Sequence, residues 1–202
     1  MRLMESKNQL GMNMLAVNVP NLLTLLRIAL IPVFVIFYYL PNKWGYLVTT
    51  GIFVFACLTD WLDGYLARKL RQESRFGAFL DPVADKLIVV VALVLMVQSF
   101  ATAMLSIPAV IIISREIVIS ALRELMAKYG NSKAVAVAYV GKVKTFLQMT
   151  AIAVLLSQPH IIDSSNYITM VGFIFLYVSV VLTLWSMLVY LHASWGILQS
   201  AD

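Results

Sequence analysis

The chain is short of charge. Of its 202 residues only 12% are Asp, Glu, Lys or Arg, whereas 61% are hydrophobic. A soluble domain carries about a quarter charged residues. With a mean hydropathy of +0.89, the shortage excludes a soluble globular enzyme, a disordered chain and a collagen-like or coiled-coil fibre. Cysteine is nearly absent too. The single Cys57 cannot form an internal disulfide, and its place in an apolar run reads as a small core residue. Both histidines, His160 and His192, read as interface residues. Acids number ten against fifteen bases, for a net charge of +5. In a multispanning protein Lys and Arg collect in cytoplasmic loops, so this excess reports topology rather than nucleic-acid binding. The opening MRLMESKNQLGMNML lacks the basic, apolar, small-residue order of a cleaved signal peptide. An uncleaved first span is therefore expected to direct insertion.

What the chain has is long apolar runs. A span needs about 20 residues, and six runs qualify, at roughly 20–40, 46–67, 80–98, 106–127, 134–157 and 167–192. Turn formers separate them at Pro41-Asn42, Ser74 to Gly77, Gly130-Asn131 and Asp163 to Asn166. The expected fold is all-α: an integral membrane protein of six transmembrane helices. Residues 1–19 form a short juxtamembrane segment, 20–192 the six-span domain and 193–202 a short cytoplasmic tail. Arg2 and Lys7 precede the first span, Arg68, Lys69, Arg71 and Arg75 fill the second connection, and Lys128 and Lys133 flank the fourth. The first connection has only Lys43, and QSFATAMLS and SQPHIIDSSN have no base. Alternation of basic and neutral connections places both termini in the cytoplasm. Tyr38, Tyr39, Trp44 and Tyr46 then fall at the outer interface, as an aromatic belt does.

The acids are grouped. Asp60 and Asp63 stand three apart near the end of the second span, and Asp81 and Asp85 four apart at the start of the third. Such spacings put each pair on one helix face, and a short connection lets the two faces meet. Four carboxylates at a membrane edge repel and cost several kcal/mol each to desolvate. Lys86 and Arg68 are too few to offset them. A pair of hard divalent ions, Mg²⁺ or Mn²⁺, fits the oxygen donors, and the lack of His or Cys argues against zinc. The plainer alternative is helix-end carboxylates solvated at the interface. Gly64 and Ala67 let a helix or a ligand approach closely. Gly77 serves as a turn or a close-approach point, and Pro82 suits the first turn of a helix.

The whole stretch reads Asp60-x2-Asp63-Gly64-x2-Ala67-Arg68-x8-Gly77-x3-Asp81-x3-Asp85. It is similar, without a departure, to the signature of the CDP-alcohol phosphotransferase family. Further stretches, NVPNLLTLLRIALIPVF, ISREIVISALRE, VGKVKTFLQM and LTLWSMLVYL, resemble the Gram-negative bacterial branch of that family that acts on glycerol 3-phosphate. The likeness runs from about residue 18. The 17 residues ahead read as an extension or as a misplaced start, with Met12 and Met14 as alternatives. The resemblance implies six spans, a homodimer in the bacterial cytoplasmic (inner) membrane, an active site facing the cytoplasm, and two Mg²⁺ or Mn²⁺ ions per site. It also implies transfer of a phosphatidyl group from CDP-diacylglycerol to glycerol 3-phosphate, releasing CMP, with no nucleic-acid partner.

By the same resemblance, Asp60, Asp63, Asp81 and Asp85 bind metal and Asp85 is the general base. Asp60, Gly64, Ala67, Arg68 and Gly77 shape the CDP site, with Arg68 on a phosphate. Asn21 and Thr24 border the nucleotide, unless they simply cap the helix near Pro20. The residues also offer cations for an anionic acceptor. Arg115 lies inside an apolar span, where an ionisable group marks function by default. Arg123, Lys142 and Lys144 are its companions, with Glu116 as a partner for Arg115 or Lys144. The alternative is that Arg123, Lys142 and Lys144 snorkel to the surface. Three rivals stand beside this reading: a family member with another acceptor (phosphatidylglycerol, serine or inositol phosphate), a divalent-cation transporter, and a non-catalytic membrane scaffold. Transporter sites usually lie near the midplane within repeated halves; here the acids sit at span ends and no repeat occurs.

Overall fold

The computed structural model describes residues 19–40, 44–70, 75–128, 138–158 and 166–199. Among them all regular structure is helical. Six helices follow in order: α1 Val19–Tyr39, α2 Gly45–Leu70, α3 Arg75–Phe100, α4 Ala103–Lys128, α5 Ala138–Leu156 and α6 Tyr167–Gln199. Five carry a stretch long and apolar enough to cross a membrane: Asn21–Tyr39, Gly45–Leu62, Val83–Phe100, Ala103–Met126 and Tyr167–His192. In α5, a helix of 19 residues, the apolar stretch among the described residues is Val143–Leu156, and it includes Lys144. The juxtamembrane segment and the turns expected at Pro41-Asn42 and Gly130-Asn131 lie outside the described residues.

The chain divides into two compact units, residues 1–91 and 92–202. In the first, α1 packs on α2. The buried face of α1 carries Asn21, Thr24, Arg27, Phe34 and Tyr38, and that of α2 carries Thr49, Phe53, Ala56 and Thr59. Phe34 and Phe53 meet with ring centroids 6.4 Å apart. Threonines inside α2 satisfy themselves: Thr49 Oγ1 donates to Gly45 O at 2.7 Å and Thr59 Oγ1 to Ala56 O at 2.8 Å. Outward positions such as Ile36, Leu58 and Trp61 remain exposed, as a lipid-facing surface requires.

In the second unit α6 packs on α5 and on α4. Ala151, Ile152, Leu155 and Leu156 of α5 and Leu176 of α6 are buried. The approach is close at Gly172, where a Cβ would stand 2.8 Å from Leu155 Cδ2 and 2.9 Å from its Cγ. Pro108 lies inside α4 and has no N–H to give the carbonyl four residues back. That carbonyl, Met104 O, accepts instead from Tyr177 Oη at 3.1 Å. The carbonyl that the proline leaves open thus ties α4 to α6.

Three local expectations are corrected. The third helix begins at Arg75 rather than near 80, so Gly77 is helical rather than part of a turn, and Pro82 is not in a first turn. The connection expected over QSFATAMLS is only Ala101 and Thr102. Ala101 adopts a left-handed φ of 46°, and Thr102 O accepts from Ser106 N at 3.0 Å to open α4. Finally, α6 runs on as a helix to Gln199, so most of the segment expected as a tail is helical, although the apolar stretch ends at His192 as expected.

Candidate active site

Two polar clusters interrupt the apolar helices, one in each unit. The first begins with a guanidinium that the motif does not include. Arg27 sits midway along α1 with its side chain 0% exposed, and its Nη1 donates to Asp60 Oδ1 at 2.5 Å. The Asp60 side chain is 37% exposed. The acid is therefore open on one side while the arginine lies behind it in the helix pair. Asp60 and Asp85 both act electrostatically on the Cys57 thiol, as does Arg27 with opposite sign. One acid of each motif pair thus lies within electrostatic range of Cys57 on α2. Asn21 and Thr24 share the buried face of α1 with Arg27, the three following one another at intervals of about one helical turn.

The backbone of α2 carries Asp63, Gly64, Ala67 and Arg68, and that of α3 carries Gly77 and Asp81; their side chains lie outside the described residues. The donors that are described are carboxylates, and a carboxylate bonded through one oxygen and one-third exposed suits a hard cation. Among the described residues no three such donors stand together, so the fit rests on the donor type of Asp60 and Asp85 alone.

The second cluster joins α4, α5 and α6. Arg115 Nη1 donates to Glu116 Oε1 at 2.5 Å, and Lys144 Nζ donates to the same oxygen at 3.0 Å. Arg115 Nη2 reaches Ser186 Oγ at 3.3 Å, while that hydroxyl donates to Thr183 O at 2.9 Å. The three charged side chains are 11%, 24% and 3% exposed for Arg115, Glu116 and Lys144. Among the described residues two cations share one anion, so these three side chains carry a net positive charge. Arg115 Nε is buried and has no hydrogen-bond partner among the described residues, which leaves the guanidinium with capacity for a further anionic oxygen. The cluster brings together two of the four expected acceptor cations. The side chains of Arg123 and Lys142 lie outside the described residues.

Sequence reasoning missed Arg27 and Ser186. For Arg27 the signal was present, an arginine inside an apolar run, the same sign that singled out Arg115. For Ser186 there was none, since a serine in a membrane helix is commonplace.

A family model described as CDP-alcohol phosphatidyltransferase matches residues 17–185. A curated relative from Pseudomonas fluorescens is 49% identical over 185 residues, covering 91% of this chain and 93% of the relative. Relatives from Yersinia pestis (strain Pestoides F) and Salmonella typhimurium (strain LT2) are each 50% identical over 179 residues, covering 89% of this chain and 96% of theirs. All three are named CDP-diacylglycerol–glycerol-3-phosphate 3-phosphatidyltransferase. On a match that spans most of its length, the chain belongs to the CDP-alcohol phosphatidyltransferase family.

Proposed function

We propose that this protein transfers the phosphatidyl group of CDP-diacylglycerol to sn-glycerol 3-phosphate, giving phosphatidylglycerol phosphate and CMP. The observation that carries the reading is 49–50% identity, over about nine-tenths of the chain, to relatives named for that reaction. The net-positive Arg115–Glu116–Lys144 cluster supports a phosphorylated acceptor over a neutral one.

In this reading Asp60, Asp63, Asp81 and Asp85 hold two Mg²⁺ or Mn²⁺ ions. When bound, such ions neutralise the pyrophosphate and polarise the phosphorus under attack. Asp85 accepts the proton of the acceptor's 1-hydroxyl as that oxygen bonds to the lipid-side phosphorus. The phosphorus–oxygen bond to the cytidine phosphate breaks, and CMP leaves with the electron pair. Arg68 holds a phosphate of the donor, Gly64, Ala67 and Gly77 let the nucleotide approach the helix backbones, and Asn21 and Thr24 border it. Arg115 and Lys144, with Arg123 and Lys142, hold the acceptor's phosphate, where two or three cations suit a dianion. The protein works as a homodimer in the cytoplasmic (inner) membrane of a bacterium, with both termini and the site on the cytoplasmic side. The donor's acyl chains then stay in the bilayer while the soluble acceptor enters from the cytoplasm.

The test is CMP release by protein purified in detergent micelles with CDP-diacylglycerol and Mg²⁺ or Mn²⁺. Glycerol 3-phosphate, serine, inositol phosphate and phosphatidylglycerol are offered in parallel. Turnover is expected with glycerol 3-phosphate alone, and Asp85→Asn should lower kcat by about 10²–10⁴-fold. Turnover with another acceptor keeps the family and overturns the acceptor. Cation binding with no CMP release from any acceptor favours the transporter reading.

A further inference from the structure

The feature that the proposed chemistry leaves unexplained is the buried arginine of α1. An ion with no exposure inside an apolar helix is costly unless it is paired, and replacing such a pair by apolar side chains is often neutral or stabilising. Helix packing alone therefore gives no reason for Arg27. Its partner supplies one. Arg27 reaches across 33 positions to Asp60, the first carboxylate of the motif, and takes Oδ1 from the buried side while the acid remains open on the other. A carboxylate held through one oxygen keeps its other oxygen for a further partner. It also shares its negative charge with a cation already in place.

We infer that Arg27 is a positioning residue and a built-in counter-ion for the carboxylate site: it holds Asp60 in place when no divalent cation is bound, and competes with the cation for that carboxylate. The inference rests on reading these acids as a divalent-cation site. It makes an unusual demand. Taking the guanidinium away must tighten cation binding, because a like charge is removed from beside the ion and Asp60 regains its full charge. It must also slow turnover, because Asp60 loses the contact that orients it.

The experiment measures Mn²⁺ affinity by electron paramagnetic resonance on the purified wild type, Arg27→Gln and Arg27→Lys, alongside kcat for CMP release. For Arg27→Gln, Mn²⁺ should bind at least about threefold more tightly while kcat falls about tenfold or more. Arg27→Lys keeps the charge and loses the planar fork, so its Mn²⁺ affinity should stay within about twofold of wild type while kcat falls. Equal or weaker Mn²⁺ binding by Arg27→Gln overturns the inference, as does tightening by Arg27→Lys to the same degree, which would show that charge is not the cause. Should Arg27→Gln not yield folded protein, Arg27→Lys decides alone: unchanged affinity with lowered kcat supports the inference and weakened affinity overturns it. A wild type that binds no Mn²⁺ removes the cation-site reading itself, and this inference with it.

Discussion

Glu116 bridges two cations that are almost wholly buried. Neutralising it leaves Arg115 and Lys144 facing each other with like charge in a low dielectric, a change that in buried pairs costs about 3–5 kcal/mol. The quarter exposure of Glu116 reduces this, so Glu116→Gln should destabilise the protein by about 2 kcal/mol. Glycerol 3-phosphate brings a replacement anion, and its addition should raise the thermal midpoint of Glu116→Gln more than that of the wild type. Thermal unfolding in detergent with and without the acceptor checks both. An equal increment in the two proteins would remove these cations from the acceptor site. The same comparison explains what could be read from sequence at this scale. A charge inside an apolar run is conspicuous because it is expensive, and that made Arg115, Glu116 and Lys144 legible. Arg27 was equally conspicuous, yet it lies outside the aspartate motif and no spacing links it to Asp60, 33 residues on. Hydroxyls are illegible for the opposite reason. Ser179 and Thr150 bond to carbonyls of their own helices, Leu176 O and Phe146 O, so a serine that also meets a functional group, as Ser186 does, looks no different.

Helices are read well by apolar length and badly at their ends. Each expected span has its helix, because only a helix satisfies every backbone group in lipid. The misses fall where helix-breaking residues were trusted as boundaries. Gly77 and Pro82 do not bound α3, which begins at Arg75; Pro108, inside the expected fourth span, leaves a Met104 carbonyl that is taken up by Tyr177. A tertiary partner of this kind is invisible in the local sequence. The opposite error was to allow nine residues for the connection of α3 to α4. Two suffice because Ala101 accepts a left-handed conformation that costs a non-glycine residue roughly 1 kcal/mol. Between α5 and α6, Gly172 fixes how near the helices can come. A methyl group there would overlap Leu155, itself fully buried, and the overpacking should cost about 1–3 kcal/mol. Gly172→Ala should therefore lower the unfolding midpoint, and pairing it with Leu155→Ala should recover part of the loss by making room. A double variant no better than the sum of its parts would show that the glycine is not set by this contact.

At the scale of the molecule, hydropathy decides that the chain spans a membrane, and charge decides which way round. The two kinds of information differ in how much of the structure they need. Apolar length is a property of each helix alone, whereas orientation depends on every connection having the right sign. Here α5 is the critical element. It is the shortest of the six described helices, Ala138–Leu156 with 19 residues, about 28 Å at 1.5 Å per residue against the roughly 30 Å of a hydrocarbon core. Lys144, inside that helix, is tolerated because it bonds to Glu116 instead of facing lipid. If α5 crosses, the connections after α2 and α4, with their lysines and arginines, share the cytoplasmic side with both termini; if it does not, α6 inverts and the C-terminus moves outside. Single cysteines in a Cys57→Ser background separate these cases. With a membrane-impermeant maleimide applied from outside, cysteines at Lys43 and Asp163 should label in intact cells with a permeabilised outer membrane. Cysteines at Lys128 and Gln199 should label only after lysis. Labelling of Gln199→Cys from outside would mean that α5 does not span, and that the charge pattern has been overridden by the short helix.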